Sequence, residues 1–465
     1  MRYHSTRNKN ISVNFTEAAL LGLAPDGGLF VPEVIPQYSA NVRSSLDTMN
    51  FLDIAFETIK PFVHEVIDDS ALSDIVQSAF TFTAPTVYVG DRYSVELFHG
   101  PTAAFKDFGA RFMARAFSHL RRGKDRPLRI LVATSGDTGG AVADGFFDVP
   151  GINVTVLYPQ GRVSALQERQ IAGLGKNISA VAVKGNFDDC QRLVKAVLSD
   201  EGLKKQMSLS SANSINISRL IPQAVYYSSA AGRIHSGLSD PDGNATPRLK
   251  KRKGQTEDVD LQRQGMQLPV ILCVPSGNFG NLTAGLYAKK MGAPIKLFVA
   301  ATNINKTIPE FLETGDYHAR ESQATISNAM DVGDPSNFER MSAHFSWDEM
   351  RDIIYGVSVS DEETLETIKS VHEETGYFLD PHSAVGWKGV DKLIRGKTID
   401  RDLYYAGAIG ILGTAHPAKF SEVVGSLIGL PPIPESLTNA MKRTIDAKII
   451  PAEVPAFIDY LNEIN

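Results

Sequence analysis

The chain has 465 residues, 43% hydrophobic and 22% charged, with a formal net charge of −6. This is the composition of a soluble globular protein of about three domains with room for a sizeable core, and its acidic balance argues against a general nucleic-acid binder. No run approaches the ~18 apolar residues of a membrane span, and the polar start Met1–Asn8 lacks the apolar segment of a secretion signal. The two cysteines, Cys190 and Cys273, form no metal-ligand pattern, so a reduced, cytoplasmic protein is expected.

Residues 1–84 read as a unit of their own. Phe15 to Leu23 have the spacing of a short helix, Pro25-Asp26-Gly27-Gly28 is a turn, and Leu29–Pro32 is strand-like. Helical patterns follow around 50–60 and 70–80, with no cluster of titratable groups. The unit is expected to be a packing element or a lid.

The next stretch, His99-Gly100-Pro101-Thr102-Ala103-Ala104-Phe105-Lys106-Asp107-Phe108-Gly109, sets a lysine among apolar residues between a Gly-Pro turn and a helix. The helix is marked by Phe108, Phe112, Met113, Ala116, Phe117 and Leu120. Apolar burial lowers a lysine's pKa, and a neutral amine attacks carbonyl carbon to form a Schiff base. The alternative is a lysine lying along an apolar surface with its head in water.

From residue 128 the pattern becomes strand, glycine turn, helix. Leu128–Ala133, Ile152–Tyr158 and Ile178–Val183 are buried-type strands, and Ser164–Leu174 and Phe187–Leu198 are helices. The pattern returns at Pro269–Val274 and Ile295–Ala301, and weakly at 403–411. Near-continuous apolar strands alternating with helices predict parallel sheets covered on both faces. Two α/β domains are expected, with ligand at the carboxyl ends of the strands. Between these blocks, residues 236–267 carry turn residues and the basic run Arg248, Lys250, Lys251, Arg252, Lys253, soon offset by Glu257, Asp258 and Asp260. This reads as a solvated insertion.

Three strand ends carry unusual loops. Thr134-Ser135-Gly136-Asp137-Thr138-Gly139-Gly140 opens a helix with glycines that allow close backbone approach. Ser276-Gly277-Asn278-Phe279-Gly280-Asn281 is a helix start ringed by small residues, the form of a phosphate cradle. For each loop alone, a tight turn without ligand remains open. Asn213-Ser214-Ile215-Asn216-Ile217-Ser218-Arg219 has more polar groups than a helix cap needs, and an arginine at that end disfavours the helix dipole unless it meets an anion. An apolar lysine, a phosphate cradle and a second anion pocket together suit pyridoxal phosphate acting on an anionic substrate. Thr414, in Gly413-Thr414-Ala415-His416-Pro417-Ala418-Lys419, could face the pyridine nitrogen. His416, beside a proline, reads as structural, and Lys419 reads as dispensable for holding the cofactor.

These blocks, with Tyr3–Arg7 and Asp26–Pro32, resemble the threonine synthases, pyridoxal-phosphate enzymes of the tryptophan-synthase-β-like fold group. The resemblance runs from the first ten residues to about 420. HGPTAAFKDFG is its specific element, whereas related lyases and dehydratases share the SGxTG pattern. It implies that Lys106 holds the cofactor as a Schiff base and moves protons. Gly277, Asn278, Phe279, Gly280 and Asn281 would hold its phosphate, and Thr414 its pyridine nitrogen. Ser135 and Thr138 would contact the substrate, and Asn213, Ser214 and Arg219 its phosphate. Asp137 stands where the broader fold group commonly has an asparagine that bonds the cofactor's ring oxygen, a bond an ionised aspartate cannot donate.

The implied organisation is an N-terminal domain at 1–84 and a smaller α/β domain at 111–222. A larger α/β domain would combine 85–110 with 223–465, carrying 236–267 as a surface insertion. The implied reaction converts O-phospho-L-homoserine and water to L-threonine and phosphate, by loss of the γ-phosphate and addition of water at the β-carbon, with no nucleic-acid or membrane partner. The alternatives are a related pyridoxal-phosphate dehydratase or phospho-lyase, or a degenerate homologue that only binds phosphates. The first would need Arg219, Asn213 and Ser214 less, and the second would be expected to have lost Lys106.

Overall fold

A computed structural model describes residues 1–124, 126–237, 267–396 and 408–464. The strands are β1 (Tyr3–Ser5), β2 (Ser12–Val13), β3 (Phe30–Pro32), β4 (Thr86–Val89), β5 (Arg92–Glu96), β6 (Leu128–Ala133) and β7 (Ile152–Pro159). They continue with β8 (Ile178–Lys184), β9 (Leu209–Ser211), β10 (Val270–Pro275), β11 (Ile295–Thr302), β12 (Ile354–Ser358), β13 (Ala408–Gly413) and β14 (Lys448–Pro451). Every residue of β6, β10 and β13 is buried. Such strands have no solvent face, so they need helices on both sides and parallel neighbours.

Two parallel sheets result. The smaller has the order β14-β8-β7-β6-β9, and the larger β12-β11-β10-β13-β5-β4, with only the β4–β5 hairpin antiparallel. In the smaller sheet the chain builds outward from β6 through β7 to β8, then returns to lay β9 on the other side of β6. In the larger, β10, β11 and β12 build one way and β13 lies on the other side of β10. Each reversal is a topological switch point, where the loops leaving adjacent strands part and open a crevice. The loops named from the sequence leave β6, β9, β10 and β13, the four strands at these two switch points.

The N-terminal residues form a small antiparallel sheet, β2-β1-β3, with helices Phe15–Leu21, Phe51–Val63 and Asp69–Ala79. The buried Tyr3 hydroxyl donates to Phe62 O at 2.8 Å, tying this sheet to the second of those helices. Helix Lys106–Leu120 lies against the same unit. Its Phe108 ring sits 5.8 Å from Phe51, 5.9 Å from Phe80, 4.8 Å from Phe82 and 5.2 Å from Tyr226. Phe108, Phe112 and Phe117 are fully buried, and each such burial stabilises the fold by roughly 1.5–3 kcal/mol. The first 80 residues thus share a core with the elements that carry Lys106, which makes them a packing element.

The end of the chain departs from the sequence reading. β14 pairs with β8, and helix Val454–Glu463 packs beneath it, with Ile450, Phe457 and Leu461 in one cluster with Leu131, Leu157 and Val181. The chain therefore returns to the smaller sheet, and 223–465 is not one unit. A four-residue edge strand with a single buried residue has too little pattern to announce itself. Most of the 236–267 insertion, including its basic run, and the 403–407 part of the weak strand lie outside the described residues.

Candidate active site

Lys106 is placed by a turn that is tied on both sides. Asp107 Oδ2 accepts from Thr102 N at 2.8 Å, folding the turn onto the helix start. Phe105 N donates to Thr414 O at 2.9 Å and His416 N to Ala103 O at 3.0 Å, lacing the turn to the segment after β13. Further along the helix, a side chain at Gly109 would put its Cβ 2.7 Å from Arg219 O, so the helix carrying Lys106 lies directly on the backbone of Arg219. The Lys106 side chain is 13% exposed, and its ammonium sits 4.9 Å from the Phe105 ring centre. Burial pushes its pKa down; Asp137 opposes this, and Lys419 and Arg219 reinforce it. A lowered lysine pKa is what nucleophilic amine chemistry requires.

The loop after β6 brings Asp137 to the cleft. Thr134 Oγ1 accepts from Gly136 N at 2.9 Å and Gly139 N at 2.8 Å, curling the loop on itself. Gly136 has φ +139°, a conformation that favours glycine, and a Cβ there would lie 2.4 Å from the Gln167 amide and displace it. Asp137 then opens helix Asp137–Phe146. Its Oδ1 accepts from Lys419 Nζ at 2.8 Å and Gln167 Nε2 at 3.0 Å, and its Oδ2 faces Lys106 Nζ at 3.6 Å. Burial alone would raise this carboxyl's pKa, but Lys419 and Lys106 outweigh it and hold the group well below the usual carboxylate range. Asp137 is therefore an anion and accepts hydrogen bonds only.

The loop after β10 is shaped by close neighbours. A Cβ at Gly277 would lie 2.7 Å from Met330 Cα and 2.8 Å from Ala329 O, both backbone atoms that cannot give way. Phe279 takes the left-handed conformation (φ 58°), and helix Gly280–Met291 starts behind it, its first amides without intrahelical partners. Asn278 joins this loop to the one after β9: its Nδ2 donates to Ser214 Oγ at 2.5 Å, and its Oδ1 accepts from Ser336 N at 2.6 Å. Asn281 Oδ1 accepts from Tyr226 and Tyr227 at 2.6 and 2.8 Å, while its buried Nδ2 has no partner.

In the loop after β9, the Asn213 side chain is occupied by a peptide, donating to Ala133 O at 2.9 Å. Arg219 is buried, donates from Nη1 to Ala212 O at 2.6 Å, and has no partner for Nε. Among the described residues no carboxylate pairs with it, and burial pushes its pKa down to about 10. A buried guanidinium with an unmet donor is costly unless an anion completes it.

The cofactor- and substrate-binding residues expected from the sequence line one cleft of about 1180 Å³: Lys106, Ser135, Thr138, Asn213, Ser214, Arg219, the loop Gly277–Asn281 and Thr414. Thr6, Arg7 and Gly27 of the N-terminal unit also line it, with Arg7 Nε 3.1 Å from Glu339. His416 is not among the lining residues; its Nδ1 accepts from Ala418 N at 3.2 Å and caps a short helical turn. The sequence reading named Lys419 without its partner and did not name His382 at all. Lys419 is wholly buried beside Asp137. His382 lines the cleft, its Nδ1 2.6 Å from Asp380 Oδ2 and its Nε2 accepting from Ala329 N at 3.2 Å. Asp380-Pro381 could have been read as a helix start, which would have set His382 in the first turn of that helix.

The donors fit a phosphate-bearing aldehyde cofactor and an anionic substrate. Lys106 and Lys419 share one carboxylate, Asp137, and Arg219 adds a third cation that no carboxylate among the described residues pairs with. Two buried donors, Arg219 Nε and Asn281 Nδ2, are unmet. The glycine loop leaves a helix start open to the cleft.

Comparison with known proteins agrees with this chemistry. A family model described as threonine synthase N terminus matches residues 2–80, and one described as pyridoxal-phosphate dependent enzyme matches 94–242 and 252–404. The chain is 38% identical to the threonine synthase of Escherichia coli (strain K12) over 462 residues, 98% of each protein. The crystal structure of threonine synthase from Escherichia coli superposes with a TM-score of 0.85 at 37% identity, covering 100% of both chains. A threonine synthase from Brucella melitensis, solved with pyridoxal phosphate bound, gives 0.85 at 33% identity, covering 100% of this chain and 99% of that one.

Proposed function

This chain belongs to the threonine synthase family of pyridoxal-phosphate-dependent lyases, and on that premise we propose that its substrate is O-phospho-L-homoserine, converted with water to L-threonine and phosphate. The observation that carries the substrate reading is Arg219, a buried guanidinium with an unmet donor and, among the described residues, no carboxylate partner, in the same cleft as Lys106. A dehydratase acting on an unphosphorylated amino acid brings only its α-carboxylate to such a cation, one anion fewer than a phosphorylated substrate.

Bound pyridoxal phosphate supplies an aldehyde carbon that takes up amines and a conjugated ring that spreads negative charge from the substrate's α-carbon. Lys106 Nζ is the amine that secures it and, once released, the base that takes the α-proton. Its burial keeps the neutral form accessible. Backbone amides from Gly277 to Asn281 receive the cofactor phosphate at the helix start, where the dipole favours an anion. Thr414, which lines the cleft, would present its hydroxyl to the pyridine nitrogen; a hydroxyl there would leave the ring neutral, where a carboxylate would stabilise its protonated form. Ser135 and Thr138 contact the substrate. Arg219, with Ser214 and Asn213, binds the γ-phosphate and stabilises the charge that develops as it leaves. Asn213 acts through the loop it pins to Ala133. With no helix among the described residues long and apolar enough to cross a membrane and both described cysteines free, a cytoplasmic location suits the reading.

The test is to supply the purified protein with pyridoxal phosphate and O-phospho-L-homoserine and quantify products. Threonine and phosphate in equal amounts are expected. Phosphate released with a 2-keto acid in place of threonine would assign a phospho-lyase.

A further inference from the structure

Lys419 is the most deeply buried ammonium near the cleft, and nothing in the proposed reaction uses it. Its side chain is 0% exposed, and its two acceptors are Thr102 O and Asp137 Oδ1, each at 2.8 Å. Those acceptors belong to different parts of the site. Thr102 lies in the turn that presents Lys106, and Asp137 opens the helix after β6. Lys419 itself follows β13, so one ammonium fastens the larger sheet's edge of the cleft to the smaller sheet's edge. With Lys419 and Gln167 both on Oδ1, the carboxylate is held with Oδ2 turned toward Lys106 at 3.6 Å, too far for a hydrogen bond.

We propose that Lys419 is a positioning residue for Lys106: by holding the Asp137 carboxylate from the far side, it keeps that anion from closing into a full ion pair with the Lys106 ammonium, and so lets Lys106 lose its proton. A buried lysine beside a lone, uncompensated carboxylate would stay protonated and be inert as a nucleophile or base. A second cation on the same carboxylate divides its attraction and adds its own repulsion. Charged groups from every side belong to this balance. Arg219, on the segment after β9, reinforces the repulsion on Lys106, and His382, on helix Pro381–Arg395, acts on Asp137. Asp107 and His416 feel Lys419 from its own side. Of all these, only Lys419 touches the Asp137 carboxylate and the Lys106 turn together.

The inference rests on Lys106 being the cofactor lysine, and the test separates the two. The cofactor-free, full-length protein is mixed with pyridoxal phosphate, and the rate of uptake is followed by absorbance as a function of pH. That rate follows the neutral fraction of Lys106 and needs no turnover. Lys419→Met should move the midpoint to higher pH by about one unit, slowing uptake roughly tenfold at any pH below it. Asp137→Asn should move it the opposite way, and Lys419→Met combined with Asp137→Asn should return it toward the original value. Lys419→Arg, which keeps the charge, should keep the midpoint close to the original.

A Lys419→Met midpoint that stays put while the melting temperature falls would make Lys419 a cross-link only and overturn the proposal. If Lys419→Met does not fold, Asp137→Asn decides alone, an unmoved midpoint overturning it. Lys106→Ala with uptake intact would instead sink the assignment of Lys106.

Discussion

Two strand–glycine–helix loops line the cleft, one after β6 and one after β10, and they do opposite things. In the loop after β10 the donors are backbone amides; the glycine at 277 is demanded by backbone 2.7 Å away, and no residue from 276 to 281 ionises. The loop after β6 is filled by a carboxylate held between two lysines. The local recipe is the same in both. What each loop can bind is decided by the residues the fold sets opposite: Met330 and Asn337 in one case, Lys419 and Lys106 in the other. A glycine turn before a helix is thus a place for chemistry, and its tertiary partners choose the chemistry.

The most severe way to break the comparison is to remove the amine that Asp137 faces. Lys106→Ala should lower turnover by at least about a thousandfold, since one group serves as both anchor and base. It should also abolish the near-visible absorbance band of the bound cofactor. Retention of both band and activity would move the chemistry elsewhere.

Gly280→Asp turns the backbone cradle into a copy of its counterpart, a carboxylate at a helix start. Its Cβ would lie 3.1 Å from Asn337 Nδ2, and its charge would oppose a phosphate. Cofactor affinity should fall by roughly a hundredfold, the scale of losing two charge-assisted contacts. Titration by absorbance reads it, and an unchanged affinity would place the phosphate elsewhere.

Arg219→Ala separates substrate from cofactor. With no carboxylate partner among the described residues, Arg219 leaves no orphaned anion behind, so the absorbance band and the melting temperature should be largely kept. kcat/KM for O-phospho-L-homoserine should drop about ten- to a hundredfold, equivalent to the ~1.5–3 kcal/mol of a hydrogen bond to a charged group. Arg219→Lys should recover part of it, because a point charge does not replace the guanidinium fork. Cofactor loss with unchanged substrate dependence would assign Arg219 to the scaffold.

The smallest effect concerns the turn itself. Burial, resisted by the bonds from Thr102, raises the Asp107 carboxyl to about 6. A raised acid pKa means the folded state holds its proton more tightly than the unfolded one. Asp107 therefore favours folding below pH ~4 and loses that contribution as pH rises to about 6, a change of order 1–3 kcal/mol. Asp107→Asn should flatten this part of the stability profile, as read by melting temperature between pH 4 and 6.5. An unaltered slope would show that another group titrates there.

Much of this was legible without coordinates, because the signals are local. Leu128–Ala133 was read with the bounds it has, and the strands near 152, 178, 270 and 295 within a residue or two, since a strand covered on both faces is an uninterrupted apolar run. The lysine between phenylalanines and the glycine loops also speak locally, since turn chemistry and apolar context are written in adjacent residues. The hairpin strand β4, the edge strands β12 and β14 and the Asp380–His382 pair were not read. Short edge strands carry little periodicity, and a hydrogen-bonded pair at a helix start looks like an ordinary cap.

The sequence by itself determined the strand–loop–helix units, the glycines their turns require, and the apolar setting of Lys106. Only the tertiary structure decided that Lys419, 313 positions after Lys106, would share Asp137 with it. It also decided that the end of the chain would return to the smaller sheet and that Arg219 would meet no carboxylate among the described residues. Propensity and periodicity act over a few residues, whereas the pairing of buried charges depends on which loops the two switch points bring face to face, and no local pattern records that.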